Sequence, residues 1–387
     1  MKKLIRKAIY TREDEAALIA NGEEWNFHDE VTNEHLHALH PYPAKFIPQI
    51  PRRAINLWTK RGELVYDPFC GCGTSIFEAS LLGRSGIGTD NNAAAILVSR
   101  AKTALYTKSD LEAIDRFADK ISKGLDFAEP RPDLIPANKN LHYWFSPLVI
   151  ERLAALKALI LGEDEPVRTF LMAVFSSIIV RVSYQDSDTR YSRILRDTSP
   201  NEVDLTFKAR LADTIARIPK AMIAGRTAVE AIQADARSVP FIANDSVSLI
   251  VTSPPYLNAY DYHKYHRQRL LWIDGGESVA FARDNEIGSH DKFTRNNAVP
   301  DGYFIDMDAC FKEWFRVLKK DGFCLIVIGD AIVSKKAVPV ADRFVDLLSH
   351  QGLTKINRWI RTLHSTKRAF NIKNSRISHE HILLFRK

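Results

Sequence analysis

The chain has 387 residues, 45% of them hydrophobic and 26% charged, with a formal net charge of +7. These are globular values, sufficient for one large α/β domain or a domain carrying a sizeable insertion. No apolar run reaches the ~18 residues a membrane span needs, and no apolar segment follows the basic start Met1–Lys7, so neither a span nor a secretory leader is expected.

The four cysteines (Cys70, Cys72, Cys310 and Cys324) have neither metal-ligand spacing nor a disulfide framework. No metal is expected, and a reducing cytoplasm is the expected setting, close to the nucleoid if the partner is DNA.

In chain order, residues 1–34 mix charges of both signs and read as an N-terminal arm. His40–Pro48 is an extended, proline-spaced segment, followed by a short helical stretch to Trp58. Leu64–Asp67 reads as a strand ending at a glycine-rich loop. Ser75–Leu82 reads as a helix stopped by Gly83, and Gly86–Asp90 as a second strand closed by an acid. Asn91–Tyr106 reads as another helix. This β-loop-α-β-α unit opens a doubly wound sheet.

Alternation then stops. From about Ser109 to Gly225 the periodicity is helical and no strand is expected. The α/β pattern resumes at Ala231–Ala236, at 247–251 and at Phe323–Ile328. A helix near 338–350 and closing strands near 354–363 and 379–386 complete it. The expected organisation is an arm (1–34), a first core part (35–108), a helical insertion (109–228) that is a candidate for target recognition, and a second core part (229–387).

Two motifs carry the chemistry. In Asp67-Pro68-Phe69-Cys70-Gly71-Cys72-Gly73-Thr74, Gly71 and Gly73 stand where a strand turns into a helix and let the backbone approach a ligand closely. No nucleoside-triphosphate loop is present. Asp90, at the end of the next strand, is placed to take a ribose diol, although alone it also suits a helix N-cap. Asp235, at a third strand end, can accept from an adenine amino group, or can be a turn residue. Together these point to an adenosyl cofactor.

The second motif, Ser253-Pro254-Pro255-Tyr256, follows the apolar run Val247–Val251. Two prolines fix φ and remove two donors, which leaves nearby carbonyls as outward acceptors. With a hydroxyl before and an aromatic ring after, the segment suits the amino group of a flat heterocycle. No Pro-Cys dipeptide offers a thiolate nucleophile. The pair of motifs points to methylation of a base amino group.

Cations sit around these motifs. Tyr260, Tyr262, His263, Lys264, Tyr265, His266, Arg267 and Arg269 crowd one short stretch, as in strands held by their phosphates with a base unstacked. Lys355, Arg358, Arg361, Lys367, Arg368, Lys373 and Arg376 come with no acid between them, which reads as a phosphate-facing surface. Arg181, Arg190, Arg193 and Arg196 could form a second contact surface or pair with Asp186, Asp188 and Asp197. His35, His37 and His40 read as structural, and Cys70 and Cys72 as small packing residues.

On these residues the chain resembles the amino-methylating DNA methyltransferases that act on N4 of cytosine or N6 of adenine. Asp67–Thr74 is similar to the family's cofactor loop, Asp90 and Asp235 to its ribose and adenine carboxylates, and Ser253–Tyr256 to its catalytic tetrapeptide. Leu318–Phe323 is similar to the loop before its fifth strand, and His379–Lys387 to its final strand. His40–Pro48, with Pro43 and Lys45, resembles the segment that closes over the cofactor.

The resemblance implies a Rossmann-like S-adenosylmethionine-dependent methyltransferase sheet with a helical insertion, with DNA as partner and a cognate restriction or defence protein as a further partner. Ser before Pro-Pro-Tyr is typical of the N4-cytosine enzymes, and that activity is the expectation. N6-adenine methylation, an RNA amino-methyltransferase and a catalytically silent nucleic-acid-binding subunit are the alternatives.

Overall fold

The computed structural model describes residues 25–28, 30–124, 131–218, 225–295, 299–362 and 379–387. The central sheet has seven strands: β1 (Leu64–Asp67), β2 (Ser85–Asp90), β3 (Val229–Gln233), β4 (Val247–Thr252), β5 (Leu318–Ile328), β6 (Thr354–Thr362) and β7 (His379–Arg386). They lie in the order β6-β7-β5-β4-β1-β2-β3. All neighbours pair in parallel except β7, which runs antiparallel to both β5 and β6.

Strand order reverses between β1 and β4, so the loops leaving these two strands diverge and open a crevice at their carboxyl ends. Asp67, Asp90 and Ser253 all lie at or just beyond strand ends on that edge.

Strand periodicity sends alternate residues to opposite faces. Val65, Leu249, Val251, Leu325 and Leu384 pack with Trp58 and Ile50 of α1 (Gln49–Trp58). Tyr66, Ile250, Cys324, Ile326 and Leu383 join Trp314, Phe311 and Phe344 on the other face. β4 is buried throughout, as expected of a central strand covered on both sides. The two faces are covered by α1, α2 (Thr74–Leu81), α3 (Ala93–Thr103) and later helices.

The insertion between α3 and β3 holds α4 (Lys108–Ser122), α5 (Pro147–Leu161), α6 (Val167–Val182) and α7 (Pro200–Ala216). It is no separate body. Its apolar stripes share one cluster with Val98 and Ala101 of α3 and with Trp272. One expectation fails here: Gln185–Ser187 and Arg190–Arg193 pair as an antiparallel ribbon where no strand was expected. The ribbon is polar (Gln-Asp-Ser and Arg-Tyr-Ser-Arg), so it carries no apolar alternation to betray it.

Beyond β4 come α8 (Arg267–Asp274), α9 (Glu277–Asn285), α10 (Asp301–Val317) and α11 (Val340–His350). No helix of the described residues is long and apolar enough to cross a membrane.

Candidate active site

A cleft opens at the reversal of strand order. Asp67, Phe69, Gly71 and Thr74 line it, with Asp90, Asp235 and Lys45, and so do Ser253 and Pro255. Both sequence motifs therefore face one space.

Gly71 adopts φ +49°; its N–H donates to Asp90 Oδ2 at 3.0 Å and its carbonyl accepts from Ser99 Oγ at 2.7 Å. The Asp90 carboxylate also accepts the Asn92 N–H at 2.9 Å, while the helix cap itself is Asn92, which accepts from Ala94. Asp90 is thus built into the glycine loop and is not the N-cap.

Asp67 is buried and accepts from the Thr252 hydroxyl at 2.7 Å and the Phe69 N–H at 3.2 Å. Thr252 directly precedes Ser253, so this bond ties the glycine-rich loop to the strand that carries Ser-Pro-Pro-Tyr. Desolvation raises both Asp67 and Asp90 to about 6 despite their hydrogen bonds.

Asp235 accepts from the Arg237 side chain at 2.6 Å, and Arg237 also donates to Asp306 at 2.6 Å and to Asn285 at 3.2 Å. This carboxylate is clamped yet still lines the cleft. Among the lining residues there are four acids (Asp67, Asp90, Asp235, Glu286) and one Lys or Arg, Lys45. Such a space suits a cation that carries hydroxyl and amino donors, which is the chemistry of a sulfonium nucleoside.

Other expected positions fall elsewhere. Pro43 is buried and does not line the cleft; the neighbouring Tyr42 does. Tyr42 stacks on the buried His266 with ring centroids 4.8 Å apart, and a Cβ on Gly71 would lie 3.3 Å from its ring. Gly73 does not line the cleft either. At φ +75° it caps α2, and a Cβ there would come within 2.8 Å of Ser99 Oγ, so this glycine serves close packing of loop on helix.

Tyr42, Tyr262, Asn285, Glu286 and Ile287 line the space and were not singled out for it from the sequence. Tyr42 had a signal, an aromatic beside the prolines of the extended segment. Glu286 had none. It accepts the Tyr262 N–H at 2.6 Å and holds the His263 ring, fixing the loop after Ser-Pro-Pro-Tyr.

The Ser-Pro-Pro-Tyr turn is buttressed from behind. Tyr303 donates its hydroxyl to the Pro255 carbonyl at 2.9 Å. Among the described residues nothing donates to the Pro254 carbonyl. The Tyr256 hydroxyl donates to Glu380 Oε1 at 2.7 Å.

The cations are less available than their sequence suggested. Arg361 is 6% exposed and its guanidinium donates to Glu380 Oε2 at 3.0 Å, so it is turned inward and not toward a phosphate. Lys264 is held between Asp261 and Asp291. Arg193 donates to the Tyr143 carbonyl at 2.7 Å and lies over the Tyr143 ring. Arg190 stays exposed beside Asp186 at 3.4 Å. Arg267 neighbours Tyr191, and Tyr260 leans on Tyr262 and Tyr265. Lys367, Arg368, Lys373 and Arg376 lie outside the described residues.

Two groups of potential metal ligands occur among the described residues, Asp330 with His379 and His381, and Asp261 with His290 and Asp291. In the first, Arg358 donates to His381 at 3.2 Å; in the second, Asp261 already accepts from Ser289 at 2.7 Å.

The DNA methylase family (N6_N4_Mtase) matches residues 6–100 and 247–387, the two core parts on either side of the insertion. The type II methyltransferase M.MvaI of Kocuria varians is 25% identical over 380 residues, covering 82% of each chain. A tRNA (guanine(10)-N2)-dimethyltransferase of Methanothermobacter thermautotrophicus is 31% identical over 91 residues, 22% of this chain and 27% of that one. Among solved structures, a DNA modification methylase of Thermus thermophilus in complex with S-adenosyl-L-methionine covers 40% of this chain and 51% of its own at 22% identity, with a TM-score of 0.25. The family match spans more than half of the chain, which belongs to the DNA methylase family and uses S-adenosyl-L-methionine as its cofactor.

Proposed function

We propose that the protein is a site-specific DNA methyltransferase acting on the exocyclic N4 amine of cytosine. The observation that carries this reading is that Ser253 and Pro255 line the same cleft as Gly71, Asp90 and Asp235. Acceptor and cofactor loop thus share one space.

Bound S-adenosyl-L-methionine supplies an electrophilic methyl group. Asp90 takes the ribose hydroxyls and Asp235 the adenine amino group, while Gly71 admits the cofactor against the loop backbone and Tyr42 walls it. Pro43 and Gly73 shape the segments on either side. Lys45 donates to the His37 carbonyl and holds the extended segment over the cleft.

The target cytosine is flipped out of the duplex and stacks on Tyr256. Ser253 Oγ and the Pro254 carbonyl accept the two amine hydrogens. Those bonds draw the nitrogen lone pair out of ring conjugation and aim it at the methyl group, so that orientation and electrostatics carry the catalysis. No covalent enzyme intermediate is needed, and the methylated nitrogen, now cationic, sheds one of its two protons to water after the transfer.

Duplex DNA then lies across the mouth of the cleft, with Tyr260, Arg267 and the ribbon residues Arg190 and Arg193 as its contacts, Arg267 neighbouring Tyr191 of that ribbon. The basic residues Lys367, Arg368, Lys373 and Arg376, which follow β6 in sequence, add to its attraction for phosphate. A cognate restriction or defence protein is a fitting partner for such an enzyme.

The test is mass spectrometry of nucleosides from DNA and RNA incubated with the protein and methyl-labelled cofactor. N4-methylcytosine in DNA is the expected product. Label on adenine would overturn the base assignment, and label confined to RNA would overturn the polymer.

A further inference from the structure

Arg361, Lys264 and Arg193 are each committed to partners within the protein. Two lysines close to the Ser-Pro-Pro-Tyr turn are not. Just beyond β5, Ala331–Val333 and Lys336–Val338 pair as an antiparallel hairpin with Ser334 and Lys335 at its tip. Lys335 and Lys336 are exposed, and neither has an ion pair among the described residues. Residues 331–339 contain no acid.

The hairpin is firmly rooted. Strand alternation sends Ala331 and Val333 into the core beside Phe344. It leaves Ile332, 42% exposed, and Ala337 opposite it on the outer face. At the base, the Asp330 carboxylate accepts the Ala341 N–H of α11 at 3.1 Å. Ser334 and Lys335 take φ +49° and +64°, as the two central residues of a type I′ turn do. Glycine and asparagine reach that region with less strain, so the tip keeps a hydroxyl and an ammonium against the local backbone preference. Strain of this kind collects where side chains meet a ligand.

Its place in the fold gives that ligand. β5 lies beside β4, so the hairpin leaves the same edge of the sheet as Ser-Pro-Pro-Tyr. Asn258, two residues beyond Tyr256, donates Nδ2 to the Ile332 carbonyl at 2.9 Å. Further along the same segment, Arg269 pairs with Asp188 in the turn of the arginine ribbon. The segment that follows the tetrapeptide thus touches a two-stranded hairpin at either end.

We propose that the hairpin 331–338 is a second DNA-binding element of this site. Lys335 and Lys336 take backbone phosphates, and Ile332 packs on the bases left bare when the target leaves the stack. A two-stranded ribbon has the width of a DNA groove, and apolar side chains commonly wedge at unstacked steps. The inference rests on DNA as the polymer that is methylated, whichever base receives the methyl group.

The experiment follows transfer of labelled methyl groups to PCR-amplified DNA, which carries no prior methylation, over a series of NaCl concentrations. K335A/K336A is compared with wild type and with K60A/K320A. The latter removes two exposed lysines at the amino ends of β1 and β5, the opposite edge of the sheet, and so matches the loss of charge.

In K335A/K336A the slope of log kcat/KM against log salt should become shallower by about 1.8, the mark of two lost phosphate contacts. K60A/K320A should keep the wild-type slope. I332S retains both charges, so its slope should match wild type while kcat/KM falls about 3- to 10-fold. The cofactor dissociation constant, measured for each protein, should not move.

A wild-type slope in K335A/K336A would overturn the proposal. So would an equal change in K60A/K320A, which is the effect of net charge alone. A wild-type kcat/KM in I332S would overturn the base contact. Proximity is read separately: all four native cysteines are buried, so a benzophenone maleimide on S334C reports the tip. Irradiation with DNA should give a covalent protein–DNA band, and its absence would equally overturn the proposal. A wild type that labels RNA and leaves DNA blank would overturn the DNA reading itself, a result distinct from all of these.

Discussion

The two walls of the cleft are built differently. The cofactor wall takes its shape from short-range turns, Asp67 with Phe69, Gly73 with Cys70, Asp90 with Asn92 and Asp235 with Arg237, and a few longer bonds, Ser99 to Gly71 and Thr252 to Asp67, fasten those turns to the rest of the fold. The target wall is held by side chains that meet from far apart in sequence. Tyr256 reaches Glu380 across 124 positions, Tyr303 reaches Pro255 across 48, and Arg269 reaches Asp188 across 81. A wall of local turns can be read in a sequence and survives change elsewhere. A wall of long-range ties can be retuned at a distance, which suits the side of an enzyme that must choose its substrate.

The largest expected effect separates the walls outright. Ser253→Ala removes an acceptor on the target wall only, so turnover should fall on the order of 10²–10³-fold. Cofactor affinity, measured by calorimetry, should hardly move. A parallel loss of cofactor binding would show that the walls are not independent.

The complementary change is Gly73→Ala on the cofactor wall. The left-handed φ and a Cβ within 3.1 Å of the Ser99 backbone should together destabilise the fold by about 2–4 kcal/mol, seen in denaturant unfolding. Residual folded enzyme should lose cofactor affinity before it loses discrimination between bases.

The same contrast explains what the sequence could tell. The doubly wound sheet, the loop at Asp67–Thr74 and the acids at strand ends are written in local patterns, and the structure has them near their expected positions. The ribbon at 185–193 was invisible because its residues are polar on both faces. Arg361 misled because its neighbours are cations, which read as a surface. In β6 the alternation is inverted: Ile360 is 64% exposed and Arg361 is buried. Only the partner strand, with Glu380 opposite, makes that arrangement stable, and the pairing of two strands is not carried by either one's sequence.

A pH experiment sharpens the cofactor side. Asp67 and Asp90 titrate near 6, above the ordinary carboxylate value, because burial disfavours their charge. In the unliganded protein, the stability tied to these raised values is fully present below the unfolded value of ~3.9 and lost as pH rises through about 6. At neutral pH both carboxylates are therefore ionised and desolvated, ready for a cation that brings hydrogen-bond donors. Cofactor affinity should fall as pH drops through about 6, by up to about tenfold per unit for each group. Asp90→Asn should flatten that profile and weaken binding at neutral pH. An unchanged profile in the variant would remove Asp90 from the cofactor site.

The smallest effect concerns the ribbon at the edge of the target wall. Arg193 is committed to the Tyr143 carbonyl and ring, whereas Arg190 keeps an exposed side chain beside Asp186, at 3.4 Å. A weak exposed pair is readily exchanged for a phosphate. Arg190→Ala should therefore lower DNA affinity only a few-fold and reduce the slope of log K against log salt by about 0.9, the signature of one lost phosphate contact. Arg193→Ala acts first on the ribbon's anchorage, so it should change thermal stability more than the salt slope. If the two variants exchanged these signatures, the ribbon would dock against the insertion through Arg190 and face the DNA through Arg193. If neither altered the slope, the duplex would run along another edge of the cleft, and the insertion would serve the fold rather than the choice of target.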